Sequence, residues 1–358
     1  MTPASLTLRP CWRTTCARML LVLPLLWTSA HASESAAGAP PASASGSWVS
    51  VAATLAGDSW GAYGVHYLTT VPHSAAVIAG VCERGLWQSG DGGATWSKLG
   101  AGDLPKHRPT RIIFDPANPA IFWECGIYFG AGMFFSKDAG KTIERLGTLD
   151  HVDDMAVDFS DPQRRTLLAG LHEQARSLNI SHDGGRTWTK IGDKFPEDSN
   201  FTHDPIILDS KTFLVNTAGW KPKSSLGIYR SEDAGENWTR ISTIGPSGTP
   251  LVAASGTILW QGLWGSGVVR STDHGTTWNA PVKPVNSVII ELPGRRLAGY
   301  ANSQVMISAD DGVSWTAFGP PIPFKPNGLA YSAEGKAFYA YHLTDKKDAQ
   351  AIVRLGTE

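Results

Sequence analysis

Two short clusters hold side chains that exchange protons near neutral pH. Asp153-Asp154 is a pair of adjacent carboxylates, and His172-Glu173 sets an imidazole beside a third acid. Glu83-Arg84 and His203-Asp204 repeat the theme of an acid next to a cationic or imidazole group. Carboxylates beside His and Arg suit general acid–base chemistry on a sugar, where one group donates a proton to a leaving oxygen and another accepts one. A His or Tyr base with an Arg that neutralises a uronate suits elimination instead. Trp220 and Trp264 add flat apolar faces, the usual lining of a ligand cleft. We therefore take His172, Glu173, Asp153, Asp154 and Glu83 as candidate catalytic residues. Trp220, Trp264, Arg84, Glu124, Tyr300, His342 and His203 are candidate substrate-binding residues.

These residues need a frame, and an internal repeat supplies it. Six segments share Ser-x-Asp-x-Gly-x-Thr-Trp or a near variant: Ser89–Trp96, Ser136–Ile143, Ser181–Trp188, Ser231–Trp238, Ser271–Trp278 and Ser308–Trp315. Their aspartates, Asp91, Asp138, Asp183, Asp233, Asp273 and Asp310, are spaced by 47, 45, 50, 40 and 37 residues, too evenly for chance. The Asp carboxylate can accept N–H bonds within its own turn, and Gly takes a left-handed backbone. The six aspartates are thus read as structural. Each unit has an apolar opening strand, a turn, a second strand, a third strand ending at the box Ser, and a fourth led by Trp. Four short strands per unit of about 45 residues argue a propeller blade.

Six boxes do not limit the ring to six blades. After Trp315 come three more strand-like runs without a box, and Ser47–Val51 is an orphan Trp-led strand at the other end. Pairing these ends closes the ring and leaves no open edge. The expected fold is all-β, a single seven-bladed β-propeller of four-stranded antiparallel blades closed by the N-terminal strand. Six blades with frayed ends is the alternative.

The boxes resemble the Asp-box (BNR) repeats of sialidase-like and sortilin-like β-propellers and of xyloglucanase-type glycoside hydrolases. The resemblance covers the chain from about residue 48 to its end. It implies a working face on the rim opposite the box turns, where strands two and three connect and one blade passes to the next. That rim carries Glu83, Arg84, Glu124, Tyr128, His172, Glu173, Arg176, Trp220, Lys221, Trp264, Tyr300, Asn302 and His342. The interblade linkers add Asp58, Trp60, Tyr63, His107, Arg108, His151, Asp153, Asp154, His203 and Asp204. The Phe/Tyr-Arg-Ile-Pro motif of sialidases is missing. Xyloglucanase-type enzymes resemble two facing propellers, whereas this sequence encodes one. Two functions follow from the resemblance: a glycoside hydrolase or polysaccharide lyase, or a non-catalytic propeller binding a glycan, a peptide or a partner protein.

Composition bounds the rest. The 358 residues carry a formal charge of −1 with no Lys/Arg block, which disfavours nucleic acid as a partner. Arg9, Arg13 and Arg18 precede the apolar run 19–27, and Ala30-His31-Ala32 offers a cleavage site, so residues 1–32 read as a signal peptide. The run is shorter than the roughly 20 residues of a membrane span. Residues 33–47 read as a flexible leader and 48–358 as the propeller, an exported monomer in the periplasm or outside the cell. Cys82 and Cys125 remain after cleavage, open to a disulfide or to two buried thiols. No P-loop, dinucleotide fingerprint or metal-ligand cluster occurs, so no cofactor or metal is expected.

Overall fold

The computed structural model describes residues 41, 43–100, 107–219, 223–344 and 346–358. The expected signal peptide (1–32) and Trp220 lie outside the described residues, as does the side chain of Trp264. The fold is a seven-bladed β-propeller. Blade one comprises Val65–Thr70, Val77–Val81, Gly85–Ser89 and Ser97–Lys98, hydrogen-bonded in that order. Blade two uses Arg108–Asp115, Asn118–Ile127, Gly132–Ser136 and Glu144–Arg145. Blade three uses Val152–Val157, Leu167–Leu171, Asn179–Ser181 and Thr189–Lys190. Blade four uses His203–Ile207, Phe213–Asn216, Ile228–Ser231 and Thr239–Ser242, and blade six runs from Ile290 to Phe318 in the same way.

Blade seven settles how the ring closes. Gly328–Ser332, Ala337–Tyr341 and Ile352–Thr357 come from the end of the chain, and Ala44–Ser50 adds the outermost strand. Ala44 pairs with Thr357 and Ser50 with Val353. The indole N–H of Trp48 donates to the Pro320 carbonyl at 2.9 Å, tying this strand to blade six as well. The strand starts at Ala44, four residues before the expected propeller boundary. Blade five departs from the four-stranded rule: Leu251–Val252, Ile258–Gln261 and Val268–Ser271 form three strands, and a single bridge from Val268 to Val282 replaces the fourth. Pro281 and Pro284 flank that bridge, and a proline lacks the N–H a ladder needs.

The box turns are built as their sequence implies. In all six, the Ser hydroxyl donates to the Asp carboxylate at 2.7–3.1 Å. The same carboxylate accepts the backbone N–H four residues on at 2.8–2.9 Å. That residue's side chain also donates to it, at 2.6–2.7 Å. Each aspartate is consumed by its own turn. These bonds hold the carboxylates low, at about 2 for Asp91, Asp183, Asp233, Asp273 and Asp310.

Apolar clusters fill the wedges between blades. Trp123, Met133, Met155 and Leu167 pack blade two on blade three, and Leu168, Ile180, Phe213 and Tyr229 pack three on four. Gly170 sets how closely blades three and four approach: a Cβ there would sit 2.7 Å from the His203 Cα. Cys82 and Cys125 are buried free thiols, so the disulfide alternative does not hold. Burial raises both thiols, Cys82 to about 11. Among the described residues no helix is long and apolar enough to cross a membrane.

Candidate functional site

Strand alternation fixes which loops share a rim. The box turns join strands three and four, so the turns joining two and three and the interblade linkers emerge at the opposite ends of the strands. A cavity of about 470 Å³ opens there between blades three, four and five. Its walls include Asp153 and Asp154 from the start of blade three, His172 and Glu173 from that blade's second turn, and His203 and Asp204 from the start of blade four. Ala218, Gly219, Leu263 and the stretch Ser247 to Thr249 line it as well, with Phe201 and with Thr110 of blade two. The size lies within the roughly 300–1,000 Å³ of ligand clefts.

His172 is the hub. Its Nδ1 lies 2.8 and 3.0 Å from the two Asp153 carboxylate oxygens. A carboxylate only accepts, so Nδ1 carries a hydrogen, and the tautomer with its one hydrogen there presents Nε2 as an acceptor. The Tyr128 hydroxyl lies 2.9 Å from Nε2 and donates to it in that tautomer, and the Glu173 carboxylate lies 3.4 Å from it. The His172 backbone N–H is anchored on the His151 carbonyl at 2.7 Å. Tyr128 and Glu173 both adopt left-handed backbones, with φ of +59° and +53°. Non-glycine residues take this conformation only where surroundings enforce it, a common state of affairs at functional sites. The Glu173 side chain is about half exposed, whereas His172 is 14% exposed.

The cavity floor is a buried charge network. Arg111 Nη1 lies 2.7 Å from both Asp154 oxygens, and Asp154 also accepts the Met155 N–H at 2.7 Å. Burial pushes the Asp154 carboxyl up, Arg111 opposes this, and Asp204 adds to the rise. His203 Nδ1 sits 3.0 Å from Asp204, whose carboxylate also accepts the Asn216 amide at 2.7 Å. Burial pulls His203 down, but Asp204, with Asp153 and Asp154 behind it, overrides this and raises it to about 9.

The structure thus gathers Asp153, Asp154, His172, Glu173 and His203 around one cavity. Asp154 differs from its expected role, because both of its oxygens are committed to Arg111 and it is nearly buried. The neighbours of both candidate tryptophans, Gly219 and Leu263, line the same cavity. Glu83, Arg84, Glu124, Tyr300 and His342 stand elsewhere. Glu83 packs on Gly61. Arg84 bonds Ser59 through its Nε and Nη2. Glu124 is no rim ligand: the second strand of blade two runs on to Ile127, which buries its carboxylate against His107 at 2.6 Å. Tyr300 packs into the wedge between blades six and seven, its phenol raised by burial to about 12. His342 stacks on Phe324 at 4.4 Å. Sequence reasoning placed Tyr128 on this rim but did not join it to His172 in the next blade. Among the described residues no group of three or more His, Cys, Asp or Glu is placed to hold a metal.

No family model matches the chain. It is 27% identical over 211 residues to a xyloglucanase of a Paenibacillus species, a match taking in 54% of this chain and 18% of that relative. The chain spans less than a third of the length of the curated relatives it matches. Among solved structures it is similar to YCF48 bound to D1 peptide, with a TM-score of 0.57 at 12% identity, covering 89% of this chain and 99% of that one. It is also similar to the GH74 xyloglucanase from Xanthomonas campestris, with a TM-score of 0.56 at 17% identity, covering 87% of this chain and 55% of the other. At such identities the structural likeness establishes the seven-bladed scaffold, and the cavity must speak for the chemistry.

Proposed function

We propose that this chain is a glycan-cleaving enzyme that works in the cavity beside His172, on the rim away from the box turns. The observation that carries this is the convergence on one imidazole of a positioning carboxylate (Asp153), a phenol (Tyr128) and a half-exposed acid (Glu173) at the mouth of a sugar-sized cleft. Asp153 keeps the imidazole in one tautomer and orientation. His172 Nε2 then accepts a proton from the substrate side, while Tyr128 or Glu173 supplies one to the departing oxygen. Both hydrolysis and elimination need that exchange. The xyloglucanase relatives support a polysaccharide as the substrate. The expected signal peptide supports work outside the cytoplasm.

The test is a panel of plant, algal and bacterial polysaccharides assayed for new reducing ends. Wild-type protein is expected to cleave at least one, and His172→Ala to lose at least about 100-fold in rate, the lower bound for a group that moves a proton in the transition state. Folded His172→Ala protein that cleaves at the wild-type rate would refute the assignment. A second reading is a binding module for a peptide or glycan. Its support is the match to YCF48, solved bound to a D1 peptide, which is nearly complete in both directions. Binding without turnover, weakened by substitution of Trp220, would favour it.

A further inference from the structure

Beside the His172 cluster stands a cation with no carboxylate in ion-pair contact among the described residues. Arg108 opens the first strand of blade two and is 9% exposed. Its guanidinium carbon lies 4.5 Å from the centre of the Tyr63 ring and 4.8 Å from that of Tyr128, so the plane is held between two phenols. Its Nε is buried with no hydrogen-bond partner, and Arg108 forms no ion pair among the described residues. Arg176, Arg230, Arg270, Arg296 and Arg354 share a buried Nε without a partner, but each donates from an Nη to a carbonyl or to Glu232, while Arg111 and Arg164 hold Asp154 and Asp115. Stacking between rings fixes a guanidinium without satisfying its hydrogen bonds, which leaves its edge free for an anion. The Tyr128 ring that Arg108 touches carries the hydroxyl bonded to His172. The anion would therefore lie about one ring's length from the proton-transfer centre. Tyr63 and Phe129, 46% and 60% exposed, offer apolar faces beside it.

We propose that the substrate is an acidic polysaccharide, that Arg108 binds the carboxylate of a uronate residue, and that Tyr128 and His172 cleave its chain by β-elimination. This rests on the glycan-cleaving reading and narrows it. His172 Nε2 takes the proton from C5 of the uronate, whose carbanion character the bound carboxylate and Arg108 stabilise. The C5–H electron pair becomes the C4–C5 double bond, and the bond from C4 to the glycosidic oxygen breaks. The leaving oxygen takes the Tyr128 hydroxyl proton. The phenolate then recovers a proton from the protonated Nε2, 2.9 Å away. The resting state returns, and no water, metal or redox partner is consumed. Hydrolysis would instead place its two groups on opposite sides of the bond in most enzymes. Here His172 Nε2 and Tyr128 meet at one point, as removal and return of a proton on one face require.

The experiment incubates wild-type protein with polygalacturonate, its methyl ester, alginate, glucuronan and neutral xyloglucan, following reducing ends and the ultraviolet absorbance of unsaturated uronates together. Expected are both signals on at least one free-acid polymer, and at least a tenfold lower kcat/KM on xyloglucan. Tyr128→Phe is expected to lose at least about 100-fold in kcat. Arg108→Gln is expected to lose its preference for free acid over methyl ester, and Arg108→Lys to recover part of it. Reducing ends without ultraviolet absorbance would overturn elimination and leave the glycan-cleaving reading standing. Equal turnover of neutral and acidic polymers would overturn the role of Arg108. Neither signal on any polymer would overturn both readings, as would tight binding of a peptide carboxylate alone. The wild-type comparisons keep the test decisive even if the Arg108 variants misfold.

Discussion

The Arg111–Asp154 pair beneath the cavity yields the sharpest quantitative test. Arg111 is 15% and Asp154 4% exposed, and one guanidinium nitrogen holds both carboxylate oxygens at 2.7 Å. Removing one member leaves the other charge buried without its partner, which costs about 3–5 kcal/mol. A fold of this length has an unfolding entropy of roughly 0.6 kcal/mol/K, so Asp154→Ala should lower Tm by about 5–8 °C. The two single variants should differ with pH. In Arg111→Met the remaining carboxyl can neutralise itself by taking a proton, because burial already pushes it up. Its penalty should therefore shrink as pH falls, whereas that of Asp154→Ala should not, since a guanidinium stays charged. Arg111→Met with Asp154→Leu should recover most of the stability. It should also keep activity within about tenfold, since neither group is assigned a proton-transfer role. Thermal unfolding by circular dichroism from pH 5 to 8 reads all of this. Additive losses in the double variant, or a folded but inactive double variant, would refute the structural account of Asp154.

His203 predicts a second pH effect. Its folded value of about 9 exceeds the ordinary 6.5, so its contribution to stability is complete below about pH 6.5 and lost as pH rises through about 9. That loss is at most about 3 kcal/mol, seen as a falling urea midpoint that His203→Gln flattens. His66 acts the other way: burial and Arg108 lower it to about 4, so stability drains as pH falls from about 6.5 towards 4. Gly170→Ala would drive a methyl group into the His203 backbone, and should loosen the cavity and lower Tm by several degrees. Deleting residues 44–50 bares the Ile352–Thr357 edge, and should drive the protein into aggregates that elute early in size-exclusion chromatography.

The scaffold was legible because its signal is local. A Ser, an Asp, a Gly and a Thr within one turn make the same bonds wherever they recur, and they mark six of the seven blades. The box proved more demanding than expected: the residue before Gly is also left-handed, even as Ala139, Ala234, His274 or Asp311. The incomplete fifth blade followed from Pro281 and Pro284, a local cue that the repeat pattern masked. The rim positions were legible as turn ends, but their depth was not. Glu124 ended up buried because its strand continues three residues further before turning. Contacts between blades leave no trace in a single sequence. Tyr128 and His172 are 44 residues apart, and Arg111 and Asp154 are 43 apart, so only the packed ring reveals either pair.

Joining Ala44–Ser50 to Ile352–Thr357 also imposes an order of events on synthesis. The earliest-made ribbon of the ring has its hydrogen-bonding partner in the ring's last strand, Ala44 with Thr357. Until then six blades can assemble, but the seventh waits with bare edges. A nascent chain stalled before Ile352–Thr357 is made would thus present two adhesive borders, and a neighbour's early ribbon could dock where its own should lie. Completion, more than collapse, is the step at which this molecule must be shielded from its own copies.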